Sequence, residues 1–157
     1  MTLRRRASRL VAGLLLLAGS GLACASDART AFNLGHFNGL AMNGYDVMTY
    51  WRGGDPQRGN EAFRHDYAGA SWIFVSAANR DAFAASPQKF APEYGGYCAY
   101  AAAQGSLADV DPYAWRIWND RLYLNYSPQV RRIWASDIDT NIAKGDANWA
   151  SLDPARK

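Results

Sequence analysis

Hydrophobic and polar positions alternate with a period of two in two stretches of the chain, which predicts two β-hairpins. In the first stretch, Phe63, His65 and Tyr67 alternate with charged residues, and Trp72 and Phe74 follow a glycine-containing loop. Pairing Tyr67 with Trp72 and His65 with Phe74 gathers the aromatic side chains on one face. We therefore predict an antiparallel pair with that register.

The second alternating stretch surrounds an Asn-Asp dipeptide that is typical of a two-residue turn. A turn of this length pairs Ile117 with Leu122 and Trp115 with Leu124, which gives the second hairpin an apolar face. A run of residues that favour strands, at positions 44–51, predicts one further strand before the first hairpin.

Helical spacing and capping signals predict three helices, near residues 77–85, 97–104 and 128–144. Ser76 is suited to cap the first, and the Ser127-Pro128 pair is typical of the start of the last. The hairpins and helices do not alternate as β-α-β units. We therefore predict the α+β class: a small antiparallel sheet built from two hairpins plus one further strand, covered by three helices.

The first 25 residues have the pattern of a signal peptide. The positively charged start contains Arg4, Arg5, Arg6 and Arg9. An apolar run at residues 10–22 follows, and Ala23-Cys24-Ala25 supplies the small residues that a signal peptidase accepts. A helix of that length rises about 20 Å, less than the ~30 Å of a hydrocarbon core. We expect cleavage near Ala25 and no transmembrane span in the mature chain.

This pattern divides the chain into a signal peptide (1–25), an N-terminal arm (26–43) and a domain that ends in the C-terminal helix (44–157). The predicted location is periplasmic or secreted. A weaker alternative is a lipoprotein acylated at Cys24, because Gly21-Leu22-Ala23-Cys24 resembles a lipoprotein box except that Gly21 takes the place of a usual Leu.

The formal charge of +3 is concentrated in the signal peptide. Of the 17 basic residues, four lie there without any acid, so 13 remain against 14 acidic residues. The mature chain therefore has no basic excess, and we expect no nucleic-acid partner.

Cys98 is the main candidate for chemistry, because it would be the single thiol of the mature chain. Two glycines precede it and an Ala-rich run follows, which predicts a partly buried thiol in the first turn of a short helix. Thiol and imidazole ligands suit copper first and zinc second, so Cys98 and His65 are candidate metal ligands. The simpler interpretations are that Cys98 is a small buried residue and that the hydrogen bonds of His65 are satisfied within the chain. In the same way, Met42 and Met48 would be core residues.

Four groups of residues together carry a family resemblance. They are Gly44-Tyr45-Asp46-Val47, Tyr67-x-Gly69-x-x-Trp72-x-Phe74-x-Ser76, Tyr94-Gly95-Gly96-Tyr97-Cys98-Ala99 and Leu122-Tyr123-Leu124-Asn125-Tyr126. In order and spacing, over about residues 44–152, they resemble the YHS-domain family, in particular its exported stand-alone members. The resemblance implies a small α+β metal-binding or metal-associated module. The cysteines that resemble metal ligands in the family would fall near Thr49, Val75 and Asn79. None of these is a cysteine, so we do not expect the family's cysteine metal site here.

Three hypotheses for function follow. The leading one is an exported, non-catalytic YHS-type binding module that holds a metal ion, copper or zinc, or a small ligand near Cys98. Its other ligand-binding residues would be Tyr94, Gly95, Gly96, Tyr97, Tyr100 and Asp46. An alternative is a structural or protein-interaction domain that uses the face formed by Trp118, Arg121 and Tyr123. The third is a thiol enzyme that pairs Cys98 with His65, although most enzyme signatures are missing: the sequence contains no phosphate-binding glycine loop, HExxH, CxxC, CxxCH or G-x-S-x-G motif.

Overall fold

The computed structural model describes residues 32–35 and 39–154. Its strands are β1 (Asn60–Tyr67), β2 (Ala70–Phe74), β3 (Asp111–Trp118) and β4 (Arg121–Asn125). Its α-helices are α1 (Val47–Trp51), α2 (Ala77–Ala85), α3 (Pro87–Phe90), α4 (Ala99–Ala103), α5 (Pro128–Ala135) and α6 (Ile138–Leu152), with 3-10 turns at Ala41–Gly44 and Glu93–Gly96. The predicted α+β class is confirmed. The predicted signal peptide lies outside the described residues.

The strand predicted at residues 44–51 was wrong, because this segment forms the end of a 3-10 turn and helix α1. Asp46 precedes α1 and its Oδ1 accepts a hydrogen bond from the Met48 N–H at 2.8 Å, which caps the helix. Val47 and Tyr50 are completely buried. Capping and burial on a helical face outweigh the strand preference of these residues, which depends on context.

The two hairpins form separate two-stranded antiparallel sheets and do not join into the single sheet that was predicted. The pairs Ile117–Leu122 and Trp115–Leu124 between β3 and β4 are confirmed. The register predicted for β1 and β2 was wrong by two residues, since Trp72 lies opposite His65.

The first hairpin has this register because its turn contains two residues, shorter than the loop predicted from the sequence. Ala68 and Gly69 both adopt positive φ angles, 49° and 77°, as a two-residue turn of this kind requires. The turn pairs Tyr67 with Ala70. A shift of two residues keeps every side chain on its predicted face, so the aromatic cluster forms as expected.

The predicted helices at 77–85 and 97–104 are confirmed as α2 and α4, although α4 is shorter. The single helix predicted at 128–144 is divided into α5 and α6. Ser136 donates its hydroxyl to the Ile133 carbonyl at 2.7 Å, and Asp137 leaves the helical region with φ −144°. Side-chain bonds of this kind compete with the helical backbone pattern, which accounts for the break.

Buried side chains form two clusters on opposite sides of β4. The first cluster combines residues of α1, α2 and both sheets; its largest members are Tyr50, Trp72, Phe74, Phe83, Leu122 and Leu124. The second cluster consists of Tyr94, Ala99, Ala102, Tyr123 and Trp134, with α6 packed against it. Residues of β4 alternate between the two, so this strand positions the groups on both sides.

Candidate functional site

Cys98 lies immediately before α4, at the N-cap position, and only 1% of its surface is exposed. It was predicted to be partly buried and inside the first turn, and both details were wrong. Its backbone forms a parallel bridge with Leu124 and its N–H donates to the Ala108 carbonyl at 2.9 Å. These bonds fix Cys98 beside the end of β4.

The Cys98 thiol is surrounded by groups from the end of β4. Its Sγ accepts a hydrogen bond from the Tyr126 N–H at 3.3 Å and lies 3.8 Å from Asn125 Oδ1, within reach of a weak S–H bond. Asn125 is completely buried. We call Cys98, Asn125 and the backbone N–H groups of Tyr100 and Tyr126 the Cys98 site.

The orientation of the Asn125 amide follows from its contacts. Its Oδ1 accepts a hydrogen bond from the Tyr100 N–H at 3.2 Å, so the amide nitrogen must occupy the other end. This Nδ2 is buried and has no hydrogen-bond partner among the described residues. Such unpaired buried donors are uncommon, because burial without a partner costs free energy.

The Cys98 site is rich in N–H donors. The Tyr100 N–H donates to Asn125 Oδ1, and the Tyr126 N–H donates to Cys98 Sγ. The Nδ2 of Asn125 is a third N–H donor. The N–H groups of Tyr100 and Tyr126 are already engaged, so Asn125 Nδ2 is the donor of the Cys98 site that remains for a further acceptor atom.

His65 is not part of this site. It lies in β1 opposite Trp72, and its ring packs edge-on against Phe83 with centroids 6.1 Å apart. Cys98 is attached to the other sheet. Among the described residues no group of three or more His, Cys, Asp or Glu side chains is arranged to hold a metal ion. Met42 and Met48 are buried in the first cluster.

Asp46 is buried and its carboxylate is fully engaged within the chain. Oδ1 accepts from the Met48 N–H, and Oδ2 accepts from the Val75 N–H at 2.9 Å and Asn79 Nδ2 at 2.6 Å. These bonds connect α1 with the segment between β2 and α2. The geometry gives Asp46 a structural role and no position for contact with a ligand.

The Tyr-Gly-Gly-Tyr segment faces α6 and the N-terminal arm. Tyr94 is buried with a left-handed backbone, φ 52°, and its hydroxyl lies 3.0 Å from Asp146 Oδ1. Burial, followed by the Asp146 charge, raises the pKa of Tyr94 far above its ordinary value. Gly95 and Gly96 also have positive φ, and the Gly95 carbonyl accepts from the Asn33 N–H at 2.8 Å.

Tyr97 and Tyr100 flank the thiol along the chain but differ in what they contribute. Tyr97 is half-buried beside Trp149, and burial, followed by the Asp109 charge, raises the pKa of its hydroxyl. Tyr100 packs against the second cluster and donates its backbone N–H to Asn125. Of the six predicted ligand-binding residues, only Tyr100 contributes a hydrogen bond to the Cys98 site.

The face formed by Trp118, Arg121 and Tyr123 is occupied by contacts within the chain. Trp118 Nε1 donates to Asp139 of α6 at 3.0 Å, and Tyr123 is completely buried against the ring of Trp134. Arg121 Nη2 lies 2.8 Å from both Glu93 Oε2 and Asp146 Oδ1. These carboxylates, Glu93 first, raise the pKa of Arg121 further above its ordinary value. Helix α6 therefore covers much of this face.

Sequence reasoning missed Asn125, although the pattern contained part of the signal for it. Asn125 follows Tyr123 by two positions, so the strand period places both on the same side of β4, which is buried in the structure. A polar amide at an inward strand position needs hydrogen-bond partners. Because the sequence had placed the Tyr123 side of β4 on an exposed face, only the burial seen in the structure identifies Asn125 as a candidate.

No helix of the described residues is both long and apolar enough to cross a membrane. No protein-family model, curated protein or solved structure matches the chain. The resemblance to the YHS-domain family therefore rests on the motifs named above, and their residues are the starting point for a functional proposal.

Proposed function

We propose that this protein is an exported, non-catalytic binding module of the YHS type, and that it holds a small ligand at the Cys98 site. One observation carries the proposal: the buried Nδ2 of Asn125, whose Oδ1 lies 3.8 Å from the Cys98 sulfur, has no hydrogen-bond partner among the described residues. An unpaired buried donor costs about 1–3 kcal/mol. An acceptor atom on a ligand would remove that cost.

The chemistry of the Cys98 site favours a small neutral or anionic ligand over a metal ion. A thiolate is a good copper or zinc ligand, but stable sites need further soft or charged ligands around the ion. The groups that contact the Cys98 sulfur here are one N–H donor, of Tyr126, and one amide oxygen, of Asn125. A carbonyl or carboxylate oxygen can accept a hydrogen bond from Asn125 Nδ2, whereas a cation cannot.

The neighbours of Cys98 also favour binding over catalysis. A nucleophilic thiol needs an adjacent base and a group that orients that base. Asn125 and the Tyr126 N–H are the described groups that contact Sγ, and neither is a base at neutral pH. His65, the base of the thiol-enzyme hypothesis, packs against Phe83.

Native mass spectrometry tests this proposal on protein exported by a bacterial host and purified without chelators. We expect wild-type protein to retain a small organic ligand. Cys98→Ser and Asn125→Asp should both lose it, because the first removes the sulfur and the second replaces the Nδ2 donor while keeping an acceptor for the Tyr100 N–H. His65→Ala is the matched control and should retain the ligand. Circular dichroism checks that all variants are folded.

Three outcomes would overturn the proposal. One is wild-type protein without any bound ligand; another is a ligand that Cys98→Ser retains as well as wild type does. The third is retention of copper or zinc in a manner that depends on Cys98, which would replace the small ligand by a metal ion.

A further inference from the structure

A second candidate site lies away from Cys98, next to the end of β1. A cleft of about 490 Å³ is lined by Tyr67, Ala85, Ser86, Pro87, Gln88 and Lys89. Its volume falls in the range of small-molecule sites, roughly 300–1,000 Å³. We call it the Tyr67 cleft. It shares no residue with the Cys98 site, so the two can be tested separately.

The wall of the Tyr67 cleft that comes from β1 is aromatic and held in place. The Tyr67 ring packs against Phe32 with centroids 6.1 Å apart and against Phe83 at 5.9 Å. Its backbone is paired with Ala70 in the first hairpin. A ring ordered in advance loses little conformational entropy when a flat group stacks on it.

The polar groups of the Tyr67 cleft favour a negative charge. Of the six described lining residues, only Lys89 is charged, and its Nζ lies 5.5 Å from the centre of the Phe90 ring. Gln88 adds an exposed amide. Ser86 precedes α3, but its side chain makes no capping bond to that helix, which leaves the hydroxyl for a ligand. The described lining contains no carboxylate that would repel an anion.

We propose that the Tyr67 cleft binds a planar organic anion of the aromatic carboxylate class. The ring of the ligand stacks on Tyr67, and its carboxylate pairs with the Lys89 ammonium group. Stacking accounts for selectivity toward flat ligands, and the lysine accounts for selectivity toward charge.

The test compares three probes by two-dimensional NMR titration of the ¹⁵N-labelled mature protein. Benzoate is flat and charged, benzamide is flat and neutral, and cyclohexanecarboxylate is charged but not flat. We expect benzoate to shift the amide signals of residues 85–90 with a Kd of about 1 mM, and both other probes to bind more weakly. Lys89→Gln should weaken benzoate binding about threefold, the effect of an exposed ion pair, and leave benzamide unchanged.

Two further variants make the result specific. Lys144→Gln, an exposed lysine of α6, is the matched control and should bind benzoate as wild type does. Tyr67→Leu should remove the preference for benzoate over cyclohexanecarboxylate. Benzoate shifts spread over the whole surface, equal binding of all three probes, or wild-type affinity in Lys89→Gln would each overturn the proposal.

Discussion

Asp46 is a buried carboxylate that accepts hydrogen bonds from the Met48 N–H, the Val75 N–H and Asn79 Nδ2. The three donors belong to α1, to the segment after β2 and to α2. A single side chain therefore joins three segments, and its removal leaves three donors without their acceptor. Its neighbour Thr49 also donates its hydroxyl to the Asp46 carbonyl at 2.7 Å.

We predict that Asp46→Ala lowers the free energy of unfolding by about 3 kcal/mol, since each hydrogen bond to a charged group contributes roughly 1.5–3 kcal/mol and part of the loss is relieved by relaxation. Urea unfolding followed by tryptophan fluorescence measures the change. Asp55→Ala, at an exposed loop position, is the matched control and should differ little from wild type. A loss below about 1 kcal/mol in Asp46→Ala would contradict the structural role.

At the scale of elements, the turn of the second hairpin is built from two residues with positive φ, Asn119 at 47° and Asp120 at 55°. Asparagine tolerates a positive φ at the first turn position, and glycine is the residue that adopts it most easily at the second. Asn-Gly is therefore the preferred pair in such turns. We predict that Asp120→Gly raises the free energy of unfolding by about 0.5–1 kcal/mol.

The same urea measurement tests the turn. Gly69→Ala in the first hairpin is the reciprocal change, because Gly69 has φ 77° and alanine is strained there. It should lower stability while Asp120→Gly raises it. Changes of the same sign in both variants would show that backbone strain does not control these turns.

Helices and strands with a clear hydrophobic period could be predicted from the sequence. The predictions that were wrong have identifiable physical causes. The second hairpin and α2 were correct because local pairing and capping determine them. Residues 44–51 were assigned to a strand because strand propensity is local, whereas the Asp46 bonds that favour the helix come partly from distant residues. The division of α5 from α6 depends on the Ser136 hydroxyl bond, which a hydrophobic stripe does not reveal.

The candidate site was predictable only in part. The sequence identified Cys98 through its rarity, but its neighbours Asn125 and Tyr126 lie almost 30 positions away and meet it through a bridge between Cys98 and Leu124. His65 and Asp46 appeared as candidates by residue type, and tertiary packing placed them elsewhere. Residue type suggests chemistry, whereas long-range pairing decides which groups meet.

At the scale of the whole molecule, α6 is attached by a charged network. Asp146 of this helix pairs with Arg121 of β4 and accepts a hydrogen bond from Tyr94. The hydrogen bond from Arg121 is the main cause that lowers the pKa of Asp146, with Tyr94 contributing and burial opposing. The carboxylate therefore binds its proton less readily in the folded protein than in the unfolded chain.

The sign of the pH dependence follows from this difference. A carboxyl group whose pKa is depressed by folding stabilises the protein above the unfolded value near 3.8, and this contribution is lost as the pH falls through the folded value. The Asp146 side chain is 44% exposed, so we expect less than about 1 kcal/mol.

We predict that Asp146→Asn is less stable than wild type at about pH 6 and that the two converge as the pH falls through the folded pKa of Asp146. Thermal unfolding at a series of pH values measures both curves. Arg121→Gln should reproduce the effect, since it removes the partner that lowers the pKa. If the stability of Asp146→Asn followed that of wild type in parallel over the whole pH range, Asp146 would not be the source of this pH dependence.

The two clusters also differ in how much of the chain must be synthesised before they can close. Every buried residue of the first cluster lies at or before Leu124, whereas the second cluster needs Trp134 and is covered by residues as late as Leu152. A chain that emerges N-terminus first can thus complete the first cluster while Tyr94 and Tyr123 still expose their rings. This interval is when a chaperone would find an apolar surface to hold, and it ends when α6 emerges.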